Sequence, residues 1–229
     1  YDAEAKTYTL DFEQSCPATP GQTDKLPLVI PIKLGLVGAD GADMPLNSAG
    51  QTETVFEMTE ASQRLVIENI NQEPVPSLLR GFSAPVKLNY NYSAEQLAHL
   101  MAHDSDGFNR WDACQTLCLT VLKQLVEDSR QDRPMVVDGQ LVEAFKALLA
   151  DRSLDPAMVA LMLQLPTEAL LHEEAETIYV DAIHDARLFM RTALAGCLMD
   201  ELQAVYQGNM TQQAYRANVE QMGSRSLKN

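Results

Sequence analysis

Near residue 92 the hydrophobic period of the chain changes, and this change limits its possible folds more than any single motif does. Before that point apolar residues alternate with polar ones. "YTLDFE" sets Tyr8, Leu10 and Phe12 against Thr9, Asp11 and Glu13, "VIPIKLGL" does the same with Ile30, Ile32, Leu34 and Leu36, and "VKLNYNY" repeats it with Val86, Leu88, Tyr90 and Tyr92. Further strands are expected near 54 to 58, 64 to 70 and 77 to 83, separated by turn-rich stretches such as "PATPGQTDKLP", "GADGAD" and "NQEPVP". Eight of the 11 prolines fall in this part, the last being Pro85. About seven short strands then fold as an antiparallel sandwich, with Pro31 marking an edge strand or a bulge.

After Tyr92 the period is helical. Ser93 with Gln96 makes a capping box, and Leu97, Leu100 and Met101 begin an apolar stripe. Asp138 and the pair Asp155–Pro156 mark further helix starts. The longest helix is expected to follow Asp181 and reach Tyr206, burying Ile183, Met190, Leu194, Leu198, Leu202 and Val205. The fold class is therefore a multidomain all-β plus all-α chain: residues 1–92 as a β-sandwich, residues 93–229 as an irregular array of six or seven helices in antiparallel hairpins. The final stretch, "TQQAYRANVEQMGSRSLKN", holds at most one helix with nothing after it to pack against, so the array reads as interrupted.

Charge narrows the partners. Acidic groups outnumber basic ones 32 to 17, and the net charge of -15 repels phosphate backbones and anionic lipid, so neither nucleic acid nor membrane is an expected partner. No run of apolar residues is long enough to span a bilayer, and "YDAEAKTYTL" lacks the parts of a secretory signal. Cys16, Cys114, Cys118 and Cys197 read as reduced core thiols, which suits a cytoplasmic protein.

The densest chemistry lies in "AHDSDGFNRWDACQTL", residues 102 to 117. On a helix beginning near Asp106, Trp111, Cys114, Cys118, Val121 and Leu125 recur at steps of three or four, which places both cysteines on a buried stripe; a metal held by the two thiols is the alternative. Asp104 and Asp106 sit where backbone N–H groups favour negative charge, and Asp106 is at ion-pair spacing from Arg110. His99 and His103, four apart, can share a metal with Asp104 or Asp106, but two histidines off the apolar stripe with no third fixed ligand are more often surface residues. "HEEAE" at 172 to 176 ends in Glu176 where H-E-x-x-H needs a second histidine. Ser83 in "GFSAP" lacks the second glycine of a nucleophile elbow, Gly41 belongs to an Asp-Gly turn, and no phosphate-binding glycine loop is present. No catalytic, cofactor-binding or metal-binding set emerges, and Asp104, Asp106, Arg110 and Trp111 are read as interdomain structural residues.

The longer motifs carry a family likeness. "QEPVPSLLRGFSAPVKLNY", followed shortly by "HDSDGFNRWDACQTL", resembles the bacterial aminopeptidase N (alanyl aminopeptidase) family of gluzincin zinc peptidases. "YDAEAKTYTLDFEQSCPATPGQT", "LLADRSLDPAMVALMLQLP" and "DAIHDARLFMRTALAGCLMDEL" extend the likeness over essentially the whole chain. The resemblance implies an immunoglobulin-like β domain followed by the first part of a C-terminal helical domain. It also implies a parent that releases N-terminal amino acids from peptides, the β domain acting as linker and the helical domain as a cap restricting access to the active site.

Family members bind the substrate amine with a G-x-M-E-N segment, and hold zinc with H-E-x-x-H and a later glutamate. This chain has neither, and "GADMP" at 41 to 45 is no substitute. The expectation is a piece without catalytic residues or a cofactor of its own, whose partners are the parent's zinc-bearing catalytic domain and its remaining helices, with peptides as the parent's substrates. A stand-alone interaction module, sandwich plus solenoid-like array, is the alternative.

Overall fold

In a computed structural model, residues 1–211, 214 and 216–229 are described. They form two compact units, and the chain passes between them more than once. Tyr1–Asn91 and His103–Arg110 make the first unit, Tyr92–Ala102 and Trp111–Asn229 the second.

The first unit holds five strands among its described residues: β1 (Thr7–Glu13), β2 (Ile30–Val37), β3 (Glu53–Met58), β4 (Ser62–Glu68) and β5 (Val75–Leu78). β1 pairs antiparallel with β4, setting Leu10 opposite Leu65 and Tyr8 opposite Ile67. β2 lies between β3 and β5, both antiparallel to it. The period of two does what it predicts, since Tyr8, Leu10, Ile32, Leu34, Leu36, Met58, Ile67 and Leu78 meet in one core, with Phe12 stacked on Phe56 at 5.0 Å between ring centroids.

Several strand expectations need correction. Residues 77 to 83 do not continue as a strand, because Leu79 takes a left-handed conformation (φ 58°) and the chain turns into a short 3-10 helix, Arg80–Phe82. "VKLNYNY" alternates correctly yet forms no strand, and Val86 and Leu88 are exposed. Alternation makes a strand only where a neighbour offers a ladder. Pro31 lies in the central strand of its sheet, but β5 reaches β2 only at positions 34 to 37, so at Pro31 the strand is locally an edge.

The second unit is helical. Its elements are α1 (Ala94–His103), α2 (Gly107–Arg130), α3 (Gly139–Ala150), α4 (Pro156–Met162), α5 (Glu168–Glu174), α6 (Val180–Cys197), α7 (Met199–Gly208) and α8 (Val219–Lys228); the last residue of α1 and the first turn of α2 count with the β unit. The caps follow the sequence. Ser93 and Gln96 exchange backbone-to-side-chain bonds at 3.0 and 3.2 Å, Asp138 accepts from the Gln140 N–H at 2.8 Å, and Asp155 accepts from Ala157 at 2.7 Å.

The described residues give eight helices where six or seven were expected. The long helix after Asp181 breaks at Leu198 (φ -112°, ψ 16°), just past Gly196 and Cys197, both weak helix formers. The longest helix is instead α2, with 24 residues. Ile183, Met190, Leu194, Leu198 and Val205 are buried as the periodicity requires, whereas Leu202 is only half-buried. Cys114 and Cys118 are buried, whereas Cys16 and Cys197 are exposed and are not core thiols. The last segment, of which residues 212, 213 and 215 lie outside the described residues, contains α8, and α8 has a partner: it packs on α4, where Gly223 lies close to Ala157.

Candidate functional site

The most concentrated polar chemistry of the β unit gathers around Arg80. The register of the central sheet places Glu53 and Ser77 on either side of Gly35, one from each neighbouring strand. Gly35 has no side chain, and the gap is filled by the Arg80 guanidinium: a Cβ at position 35 would lie 2.4 Å from its Cζ. The left-handed turn at Leu79 is the step that carries Arg80 past the end of β5.

Every nitrogen of this guanidinium is held. Nε donates to Ser77 Oγ at 2.8 Å, Nη1 to Asp43 Oδ2 and Glu53 Oε1 at 3.2 Å each, and Nη2 to Asp43 Oδ1 at 2.7 Å, while Asp104 Oδ1 forms an ion pair with Nη2 at 3.1 Å. Arg80 and Asp104 are both 0% exposed. Lys33 joins the outer side of the network, 2.8 Å from Glu53.

Residues 103 to 110 complete the arrangement. Ser105 Oγ donates to Asp43, Asp104 Oδ1 accepts from the Asp106 N–H at 2.9 Å, and Asp106 Oδ1 accepts from the Asn109 N–H at 2.9 Å. Asn109 Nδ2 donates to Ser77 Oγ and to the Leu78 carbonyl, both at 2.9 Å. The Phe82 and Phe108 rings meet at 5.4 Å, and the His103 ring lies against Gly41, whose φ of +80° opens the turn there.

Burial and pairing set the charges. At Asp43 burial favours the neutral acid, but the bonds from Arg80 and Ser105 outweigh it and hold the carboxyl below its ordinary range. Lys33 holds Glu53 low against a smaller effect of burial, with Arg80 assisting. At Asp104 burial wins over Ser77, the Asp106 N–H and Arg80, and pushes the carboxyl up. Burial also opposes the charge on Arg80, yet Asp43, Asp104 and Glu53 leave its pKa raised. The guanidinium is fully buried, and each of its nitrogens is already engaged by a partner within the β unit.

Of the residues singled out from sequence, Asp104 and Asp106 come together here, and the buried Arg110 joins them through its backbone N–H, 3.0 Å from the Asp106 carbonyl. Trp111 falls in the second unit and is half-buried. The sequence reading missed Arg80, Gly35, Ser77, Asp43, Glu53 and Asn109. The available signal was a charged residue inside the apolar context "SLLRGF" and a glycine within "IKLGLV".

The other sequence candidates take ordinary places. Cys114 donates to the Met162 carbonyl at 3.3 Å, and its own bond to Cys118, together with burial, pushes the Cys118 thiol well up, away from the reactive thiolate. His99 and His103 count with different units. Ser83 Oγ accepts from the Lys33 N–H at 3.0 Å. In "HEEAE", α5 ends at Glu174 and Ala175 is extended, so Glu176 does not share a helical turn with His172. Among the described residues no three His, Cys, Asp or Glu side chains converge to hold a metal.

Comparison with known proteins places the chain in a family. Residues 1–91 match a domain of unknown function with an Ig-like fold (DUF3458), and residues 94–229 match its companion, described as ARM repeats (DUF3458_C). Aminopeptidase N of Escherichia coli is 40% identical over 230 residues, covering 100% of this chain and 26% of the relative. Aminopeptidase N of Haemophilus influenzae is 36% identical over 90% of this chain and 24% of the relative. The crystal structure of Legionella pneumophila aminopeptidase A in complex with aspartic acid superposes with a TM-score of 0.79 at 26% identity, over 99% of this chain and 25% of that one. The chain thus spans about a quarter of the length of the relatives it matches. It belongs to the DUF3458 family, an Ig-like domain followed by an ARM-like helical array, and corresponds to the C-terminal region of aminopeptidase N.

Proposed function

We propose that these 229 residues are a non-catalytic structural part of a zinc-dependent aminopeptidase N whose whole form releases N-terminal amino acids from peptides. One observation carries the reading: the match to aminopeptidase N covers the entire chain, while the 229 residues contain neither H-E-x-x-H nor G-x-M-E-N. Catalysis then belongs to the rest of the parent, which is also the chain's partner together with further helices. Residues 1–92 act as the linker and residues 93–229 as the first part of a cap that restricts the active site to short peptides.

Within this reading Asp104, Asp106, Arg110 and Trp111 organise the joint. The support is the burial of Asp104 and Arg110 and the pinning of residues 103 to 110 onto the β unit by Arg80, Ser77 and Asp43. No helix among the described residues is long and apolar enough to cross a membrane, and we place the parent in the cytoplasm.

The test is zinc content and hydrolysis of an alanyl chromogenic amide by the purified 229-residue chain, beside the full-length parent. Zinc and turnover in the parent, with neither in the shorter chain, is the expected result. One tightly held zinc in the shorter chain, lost when His99 and His103 become alanine, would overturn the reading.

A further inference from the structure

We propose that Asp104 is a buried proton-binding site, and that its proton governs how firmly residues 103 to 106 are held on the β unit. The geometry separates it from the other carboxylates around Arg80. Asp43 receives a donor on each oxygen from Arg80 and a further bond from Ser105, and Glu53 is shared between Arg80 and Lys33. Asp104 has the Asp106 N–H and the Arg80 charge on Oδ1 and is also stabilised by the Ser77 hydroxyl, yet its Oδ2 is buried with no hydrogen-bond partner. It is also the most enclosed of the three, with a side chain 0% exposed against 16% for Asp43 and 37% for Glu53.

A carboxylate with one bare buried oxygen bears the desolvation cost of its charge with half the usual compensation. A proton on Oδ2 removes that charge and leaves Oδ1 free to keep its partners. The formal charges agree. Arg80 and Lys33 supply two positive charges, Asp43 and Glu53 neutralise them, and an ionised Asp104 is in excess. Asp106, which also acts on it, is negative too. Burial raising Asp104 while pairing lowers Asp43 and Glu53 is in keeping with one proton held among three carboxyls.

The linkage has a definite sign. With the folded carboxyl titrating above its unfolded value, the contribution of Asp104 to stability is complete below about pH 3.9 and is lost as the pH rises through the folded value. The 103 to 106 loop, anchored through Oδ1, then carries an uncompensated charge.

The experiment follows the aspartate 13Cγ resonances of the 229-residue chain against pH, with Asp104→Asn identifying the signal, and measures urea unfolding of both proteins from about pH 4 to about pH 8. The expected midpoint for Asp104 lies above the ordinary value of about 3.9. The wild-type folding constant should fall relative to D104N through that midpoint, tenfold for each unit of upward displacement. A midpoint at or below the ordinary value, or a ratio that stays constant with pH, would overturn the proposal. If D104N fails to fold, the wild-type titration with backbone assignment decides alone.

Discussion

At the residue scale the β unit depends on a glycine and an arginine that occupy one space. Replacing Arg80 with methionine leaves Asp43 and Asp104 without their cation and Glu53 with Lys33 alone, and such a break in a buried ion pair costs about 3–5 kcal/mol. Urea unfolding of Arg80→Met should show a loss of that size. Arg80→Lys should keep the charge but recover only part of the stability, since an ammonium cannot reproduce the directed bonds of the guanidinium to Ser77, Asp43 and Glu53. Gly35→Ala puts a methyl where the guanidinium lies and should cost about 1–3 kcal/mol, read by the same measurement. Asp43→Asn tests the acid side. Because the Asp43 carboxyl titrates below its unfolded value, its stabilisation is present above about pH 3.9 and disappears as pH falls through the folded value. The stability gap between wild type and D43N should therefore close on acidification, the reverse of the trend at Asp104. Asp104 and Asp106 were visible in the sequence as residues at a helix start. Arg80 was not, because its partners come from Gly35, Asp43 and Glu53 through a cross-strand register that period alone does not reveal.

At the element scale, local chemistry was more legible than pairing. The caps at Ser93, Asp138 and Asp155 form at the predicted positions because capping needs only residues two or three apart. "VKLNYNY" failed as a strand because pairing depends on a distant segment, and the helix after Asp181 broke at Leu198 where Gly196 and Cys197 weaken it. The fate of α8 was equally hidden. Its docking depends on Gly223, where an added Cβ would come within 3.3 Å of the Ala157 backbone nitrogen. Gly223→Leu should push α8 away from α4, seen as faster amide exchange throughout Val219–Lys228. Asn218→Ala removes the side chain that caps the Gln221 N–H at 2.9 Å and should cost about 1 kcal/mol without undocking the helix.

At the scale of the whole molecule the change of period near residue 92 was sufficient to foresee a β part followed by an α part, and the long motifs to foresee the family. The path of the chain was not foreseeable. The β unit resumes at His103 after Tyr92–Ala102 has joined the helices, so its sequence is discontinuous. It is therefore not a cassette that can be excised at a single cut. A piece ending at residue 91, the limit of the Ig-like family match, keeps Arg80 but loses Asp104, Ser105 and Asn109, and with them three supports of the buried charge network. A piece ending at residue 110 retains all three. Differential scanning calorimetry should find the shorter piece melting lower than the longer one, or without a cooperative transition. Exchange of β domains between relatives should likewise tolerate a junction after residue 110 better than one at 91, because the domain inherited as a unit extends into the first turn of the helix that follows it.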